Sequence, residues 1–69
     1  MEKQLTERQQ EVFQYLLDYY NTNGYPPTQT VMAEHFGWAS QNAAGDHLRA
    51  IAKKGWLINR GQRGYYPKI

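Results

Sequence analysis

Three times along this sequence a small hydroxyl residue opens an apolar stripe of helical spacing, and a glycine closes it. Thr6 precedes Val12, Phe13, Leu16, Leu17 and Tyr20, and Asn21-Thr22-Asn23-Gly24 ends that run. Thr28 precedes Val31, Met32, His35 and Phe36, which Gly37 stops after about two turns. Ser40 precedes Ala44, Leu48, Ile51 and Ala52, and Gly55 closes the segment after residues 41–54. A side-chain oxygen at the start of a helix accepts from an otherwise unpaired backbone N–H, and glycine past its end takes a left-handed conformation at little cost. Gln9 follows Thr6 at capping-box spacing. The pattern predicts one long helix and two shorter ones. Tyr25-Pro26-Pro27 is extended between the first two, because a proline restricts the residue before it. Trp38-Ala39 is the tight turn between the second and third.

The remainder changes period. Trp56-Leu57-Ile58-Asn59-Arg60 has strand composition, Gly61-Gln62-Arg63-Gly64 a turn composition, and Tyr65-Tyr66 resumes a strand that Pro67 ends. The expected fold class is mainly α with a small β-hairpin, a winged helix-turn-helix of three helices plus a wing, in which residues 1–69 form one domain. A chain of this length buries only about 60% of its unfolded surface. With no cysteine to staple it, the core must be dense, and two Trp, two Phe and six Tyr supply the bulk.

Charge is unevenly divided. Residues 1–34 carry Lys3 and Arg8 against Glu2, Glu7, Glu11, Asp18 and Glu34. Residues 35–69 carry Arg49, Lys53, Lys54, Arg60, Arg63 and Lys68 against Asp46 alone. A basic C-terminal half implies an anionic partner. The polar N-terminus does not match a signal peptide, and no apolar run nears the ~20 residues of a membrane span. A cytoplasmic protein without membrane contact is expected. His35 and His47 have no carboxylate or thiol company suited to a metal, so they read as packing residues. Nothing resembles a nucleophile–base pair, so neither an enzyme nor a cofactor or small-molecule ligand is expected.

Double-stranded DNA fits this arrangement. The helix of residues 40–54 is narrow enough for a major groove, and its first residues, Ser40 and Gln41 among them, would meet base edges. Asn42, Gly45, Asp46, Arg49 and Lys53 recur at spacings of three and four on one polar face. Arg49, Lys53 and Lys54 lie nearer phosphates, Arg60 and Arg63 on the hairpin reach an adjacent backbone or a minor groove, and the helix starts at Thr28 and Ser40 suit phosphates.

The chain resembles the N-terminal DNA-binding domain of the LexA repressor family. The resemblance is carried by Leu5-Thr6-Glu7-Arg8-Gln9-Gln10-Glu11-Val12-Phe13, by Gly24-Tyr25-Pro26-Pro27-Thr28, by Ser40-Gln41-Asn42-Ala43-Ala44, and by His47-Leu48-Arg49-Ala50-Ile51-Ala52-Lys53-Lys54-Gly55. It implies that Asn42 and Ala43 read bases, Asn42 being suited to adenine, with Ala43 contacting a thymine methyl or serving as a spacer. Two acidic residues follow in the family. Here the first position is Gly45, which either allows close approach to DNA or is a neutral change. The second is Asp46, which accepts from cytosine or tunes the helix start. Repressors of that family continue into a self-cleaving peptidase domain that dimerises them. This sequence ends at Ile69, so a stand-alone regulator of phage or mobile-element type is expected, monomeric when free and at most weakly dimeric on DNA. Ala44-Gly45, inside the third helix, is not read as a cleavage dipeptide. A repressor is the leading reading. A protein-interaction adaptor using Tyr15 and Tyr19, and an architectural factor in phage-type recombination, are the alternatives.

Overall fold

The computed structural model describes residues 4–68; the ends of the expected domain, residues 1–3 and 69, lie outside the described residues. Helix α1 runs Glu7–Asn23, α2 Gln29–Phe36 and α3 Gln41–Lys53, followed by strands β1 (Leu57–Asn59) and β2 (Tyr65–Pro67) with one turn of 3-10 helix, Gly61–Arg63, between them. This is the winged helix-turn-helix of the sequence reading.

The capping box at α1 is formed: the Gln9 N–H donates to Thr6 Oγ1 at 3.1 Å, and the Thr6 N–H donates to Gln9 Oε1 at 3.0 Å. Gly24, at φ +83°, ends the helix in the left-handed region that an L-side chain resists. Thr28 Oγ1 caps α2 by accepting from the Val31 N–H at 3.1 Å. Ser40 occupies the corresponding position before α3, but its hydroxyl makes no capping bond. The expected side-chain cap there is therefore corrected: the backbone starts the helix without it.

The core forms where the three helices and β1 meet. Val12 and Leu16 of α1, Met32 of α2, Ala44, Leu48 and Ile51 of α3, and Leu5 and Leu57 are buried together, with Phe13, Phe36, Trp38, Trp56 and Tyr65 packed around them. On α2 the buried pair is Met32 and Ala33, while His35 is exposed. A two-turn helix buries one edge only, and Ala33 lies on it.

The hairpin is antiparallel, with Leu57 opposite Pro67, Ile58 opposite Tyr66 and Asn59 opposite Tyr65. Trp56 and Arg60 fall outside the strand, and Pro67 is paired within it rather than beyond it. Both strands of a two-stranded ribbon are edges, where the missing proline N–H costs no ladder bond. The expected turn is tighter than a plain loop: Arg60 N–H donates to the Gly64 carbonyl at 2.9 Å, and Asn59 Oδ1 accepts from the Gly61 N–H at 2.9 Å.

Candidate nucleic-acid interface

The helix-turn-helix is locked at both ends. At the turn, the Trp38 N–H donates to the Ala33 carbonyl at 2.8 Å, and the Trp38 ring stacks between Phe36 (centroids 4.8 Å apart) and His47 of α3 (4.7 Å). At the start of α2, Thr30 Oγ1 donates to Gln41 Oε1 at 2.9 Å, tying the first turns of α2 and α3 together. The orientation of α3 thus follows from packing at its middle and polar contacts at its start.

Of the residues expected to read DNA, Ser40, Gln41, Asn42 and Asp46 are exposed, and Ala43 is half-buried. Arg49 and Lys53 continue the exposed side of α3. Asp46 and Arg49 are paired at 3.2 Å, with both side chains largely in solvent. Two members of the expected set lie elsewhere. Gly45 is buried rather than on the polar face: a Cβ built there would lie 3.2 Å from Gln29 Oε1. Its place in the helical repeat puts it at the shoulder of α3, which α2 covers. Lys54 is half-buried and turned toward α1, where its ammonium donates to Gln9 Oε1 at 2.6 Å and to the Gln4 carbonyl at 3.3 Å. It closes the end of α3 onto the start of α1 rather than extending the exposed side that carries Arg49 and Lys53.

The wing and the start of α2 face one another across a cleft of about 290 Å³, lined by residues 26–30, Gln41, Leu48 and residues 61–65. Thr28 stands on one wall and Arg63 on the other. Arg60 lies over the Tyr66 ring, 5.1 Å from its centroid, which steadies the base of the wing. Arg63 is exposed at the tip. Gln29 and Thr30 line the same cleft without belonging to the sequence-derived set. A glycine in the middle of a helix, signalling that something approaches closely, was the available sign for Gln29.

Outside the cleft, the aromatic flank of Tyr15 and Tyr19 is engaged within the molecule. Tyr15 stacks on His35 at 3.8 Å and meets Phe36 edge-on at 5.6 Å, and Tyr19 contacts Tyr25 at 6.0 Å. Burial and the neighbouring Tyr19 raise the Tyr15 phenol above its ordinary pKa. Among the described residues no group of three His, Cys, Asp or Glu side chains is placed to hold a metal ion, and no helix is long and apolar enough to cross a membrane.

Comparison with known proteins agrees with this geometry. The LexA DNA-binding domain family matches residues 2–64. The chain belongs to that family. The LexA repressor of Haemophilus ducreyi is 47% identical over 55 residues, which are 80% of this chain and 26% of the relative. The LexA repressor of Thiobacillus denitrificans is 46% identical over 64 residues, 90% of this chain and 32% of the relative. The LexA repressor of Actinobacillus pleuropneumoniae serotype 5b is 46% identical over 55 residues, again 80% and 26%. The chain therefore spans about a quarter to a third of the length of these LexA relatives.

Proposed function

We propose that residues 1–69 act as one DNA-binding domain that docks α3 in the major groove of a short duplex site and represses transcription from it. The observation that carries this is the exposed polar side of α3, Asn42 with Asp46, Arg49 and Lys53, standing beside the cleft between the start of α2 and the wing. Asn42 reads a base, adenine by the match of its amide to the N6 and N7 edge. Ser40, Gln41, Ala43 and Asp46 stand with it at the start of α3, while Thr28, Arg49, Lys53, Arg60 and Arg63 contact the sugar-phosphate backbone. Phosphate contacts fix register and base contacts fix sequence, and the reading assigns both kinds of group to this domain.

Selection from a pool of random duplexes tests the reading. Enrichment of a short motif, in one or two copies, is the expected result. Equal recovery of all duplexes, or preference for single strands, would overturn it. Repression itself is read from a reporter carrying the selected site within its promoter, whose expression should fall when the protein is supplied.

A further inference from the structure

Gly45 poses a physical question that the DNA-binding reading leaves open. A helix-interior glycine weakens its helix relative to alanine, and this one has no positive φ to require it. What distinguishes the position is a close neighbour. A Cβ at position 45 would lie 3.2 Å from Gln29 Oε1 and 3.5 Å from both Cδ and Nε2. The whole terminal amide of Gln29 therefore lies against the bare α3 backbone.

The helical repeat says where on α3 that is. With 3.6 residues per turn, position 45 lies roughly 60° around the axis from Asn42 and roughly 40° from Arg49. It is the shoulder between the buried side, Ala44, Leu48 and Ile51, and the exposed polar side. Gln29 is exposed, lines the cleft facing the wing, and its amide makes no hydrogen bond among the described residues. Thr30, the next residue, is bonded to Gln41, so the first turn of α2 is held against α3 while the Gln29 amide is left without a partner.

We infer that Gln29 is a specificity-determining residue that reads a base from the shoulder of α3, in the space that the missing side chain of Gly45 leaves open. This rests on the DNA-binding reading and adds a reader to it that comes from α2. A side-chain amide offers one donor and one acceptor in a plane, which matches the N6 and N7 edge of adenine in the major groove. The target is a duplex base next to the one read by Asn42. Gly45 and Gln29 act as a pair: a methyl at position 45 shifts the amide by a few tenths of an ångström and so alters its aim at the base edge.

The test compares bound-duplex selection and affinity for the unaltered chain, Gln29→Met, Gly45→Ala and Asn42→Ala. Methionine keeps the length and bulk of Gln29 but cannot hydrogen-bond a base edge. Gln29→Met should lose the preference at one position of the site, different from the one lost in Asn42→Ala. Its affinity for the selected site should fall roughly 5- to 100-fold, with random duplex bound within about twofold of the unaltered chain. Gly45→Ala should weaken the preference at the Gln29 position while raising the melting temperature, because alanine suits the helix better. An unchanged motif in Gln29→Met, or an equal loss on all duplexes, would overturn the inference while leaving the DNA-binding reading in place. So would Gly45→Ala altering only the Asn42 position. An unaltered chain that selects no motif fails earlier, and takes both readings with it.

Discussion

Along α3, neighbouring side chains do different work. Asn42 is exposed and carries a donor and an acceptor, so its removal should cost the preferred site about 1–3 kcal/mol while leaving random duplex nearly as well bound. Titration of Asn42→Ala against selected and scrambled duplexes reads this directly, and an equal loss on both would contradict it. Asp46 is a carboxylate beside the row of cations, paired with Arg49 at 3.2 Å. Replacing it with asparagine removes a negative charge from the face proposed to meet DNA and releases Arg49 from its pair. Asp46→Asn should therefore tighten binding to random duplex several-fold at low salt, an effect that fades as salt is raised. Unchanged or weaker binding in the same titration would show that Arg49 does not face DNA. Outside the cleft, Tyr15 supplies a pH dependence. The fold holds its phenol protonated beyond the ordinary tyrosine pKa, so above that value the unfolded chain binds fewer protons than the folded one. Stability should fall as pH rises from the ordinary value through the folded one. Denaturant unfolding in that alkaline range should show a smaller fall for Tyr15→Phe, which keeps the stack on His35 but cannot ionise.

The helix starts differ, and that difference separates stability from binding. Thr6 both gives and receives a capping bond, so Thr6→Ala should cost about 1 kcal/mol of stability and leave the affinity of the folded protein unchanged. Ser40 makes no capping bond, so Ser40→Ala should change stability by less than about 0.5 kcal/mol yet, on the proposed docking of α3, weaken duplex binding, because its hydroxyl stands uncommitted at the start of that helix. Thermal melts paired with binding isotherms for the two variants check both statements. If Ser40→Ala proved the more destabilising of the two, the hydroxyl would be bonding the helix after all. The Gln29 amide over Gly45 belongs to the same level of organisation. It arises from how closely α2 crosses α3, a property of neither helix alone.

At the scale of the molecule, the cations proposed to face a duplex are Arg49, Lys53, Arg60 and Arg63, whereas Lys54 bridges α3 to Gln9 and Gln4. Affinity should fall steeply with salt as counterions are released, with a clearly negative slope of log affinity against log salt. Lys53→Ala should reduce that slope by about one unit, and Lys54→Met should leave it alone while lowering the melting temperature. A reduced slope in Lys54→Met would return that residue to the phosphate row. On the DNA-binding reading, the free chain is expected to be a monomer that pairs only on duplexes with two half-sites. Sedimentation of the free chain, and of its complexes with one and two half-sites, should show a free monomer and far tighter binding to the double site. A stable free dimer would contradict this.

What the sequence determines here is local. Helix starts and stops are written in Thr6, Thr28 and Gly24, because capping and left-handed turns involve residues only a few positions apart. The apolar stripes specify the core, and the blocks around Gly24-Tyr25-Pro26-Pro27-Thr28 and Ser40-Gln41-Asn42-Ala43-Ala44 identify the family. The tertiary structure decides which side of a helix a partner covers. Gly45 follows the periodicity of the polar face and yet is buried, because α2 crosses α3 at that shoulder and brings Gln29 onto it. Lys54 continues a basic run and yet turns away, because the end of α3 meets the start of α1, where Gln9 and the Gln4 carbonyl present oxygens. Periodicity gives the angle of a side chain about its own helix axis. What lies opposite that angle depends on residues distant in the chain, 45 positions away in the contact between Lys54 and Gln9, and only the packed molecule brings them together.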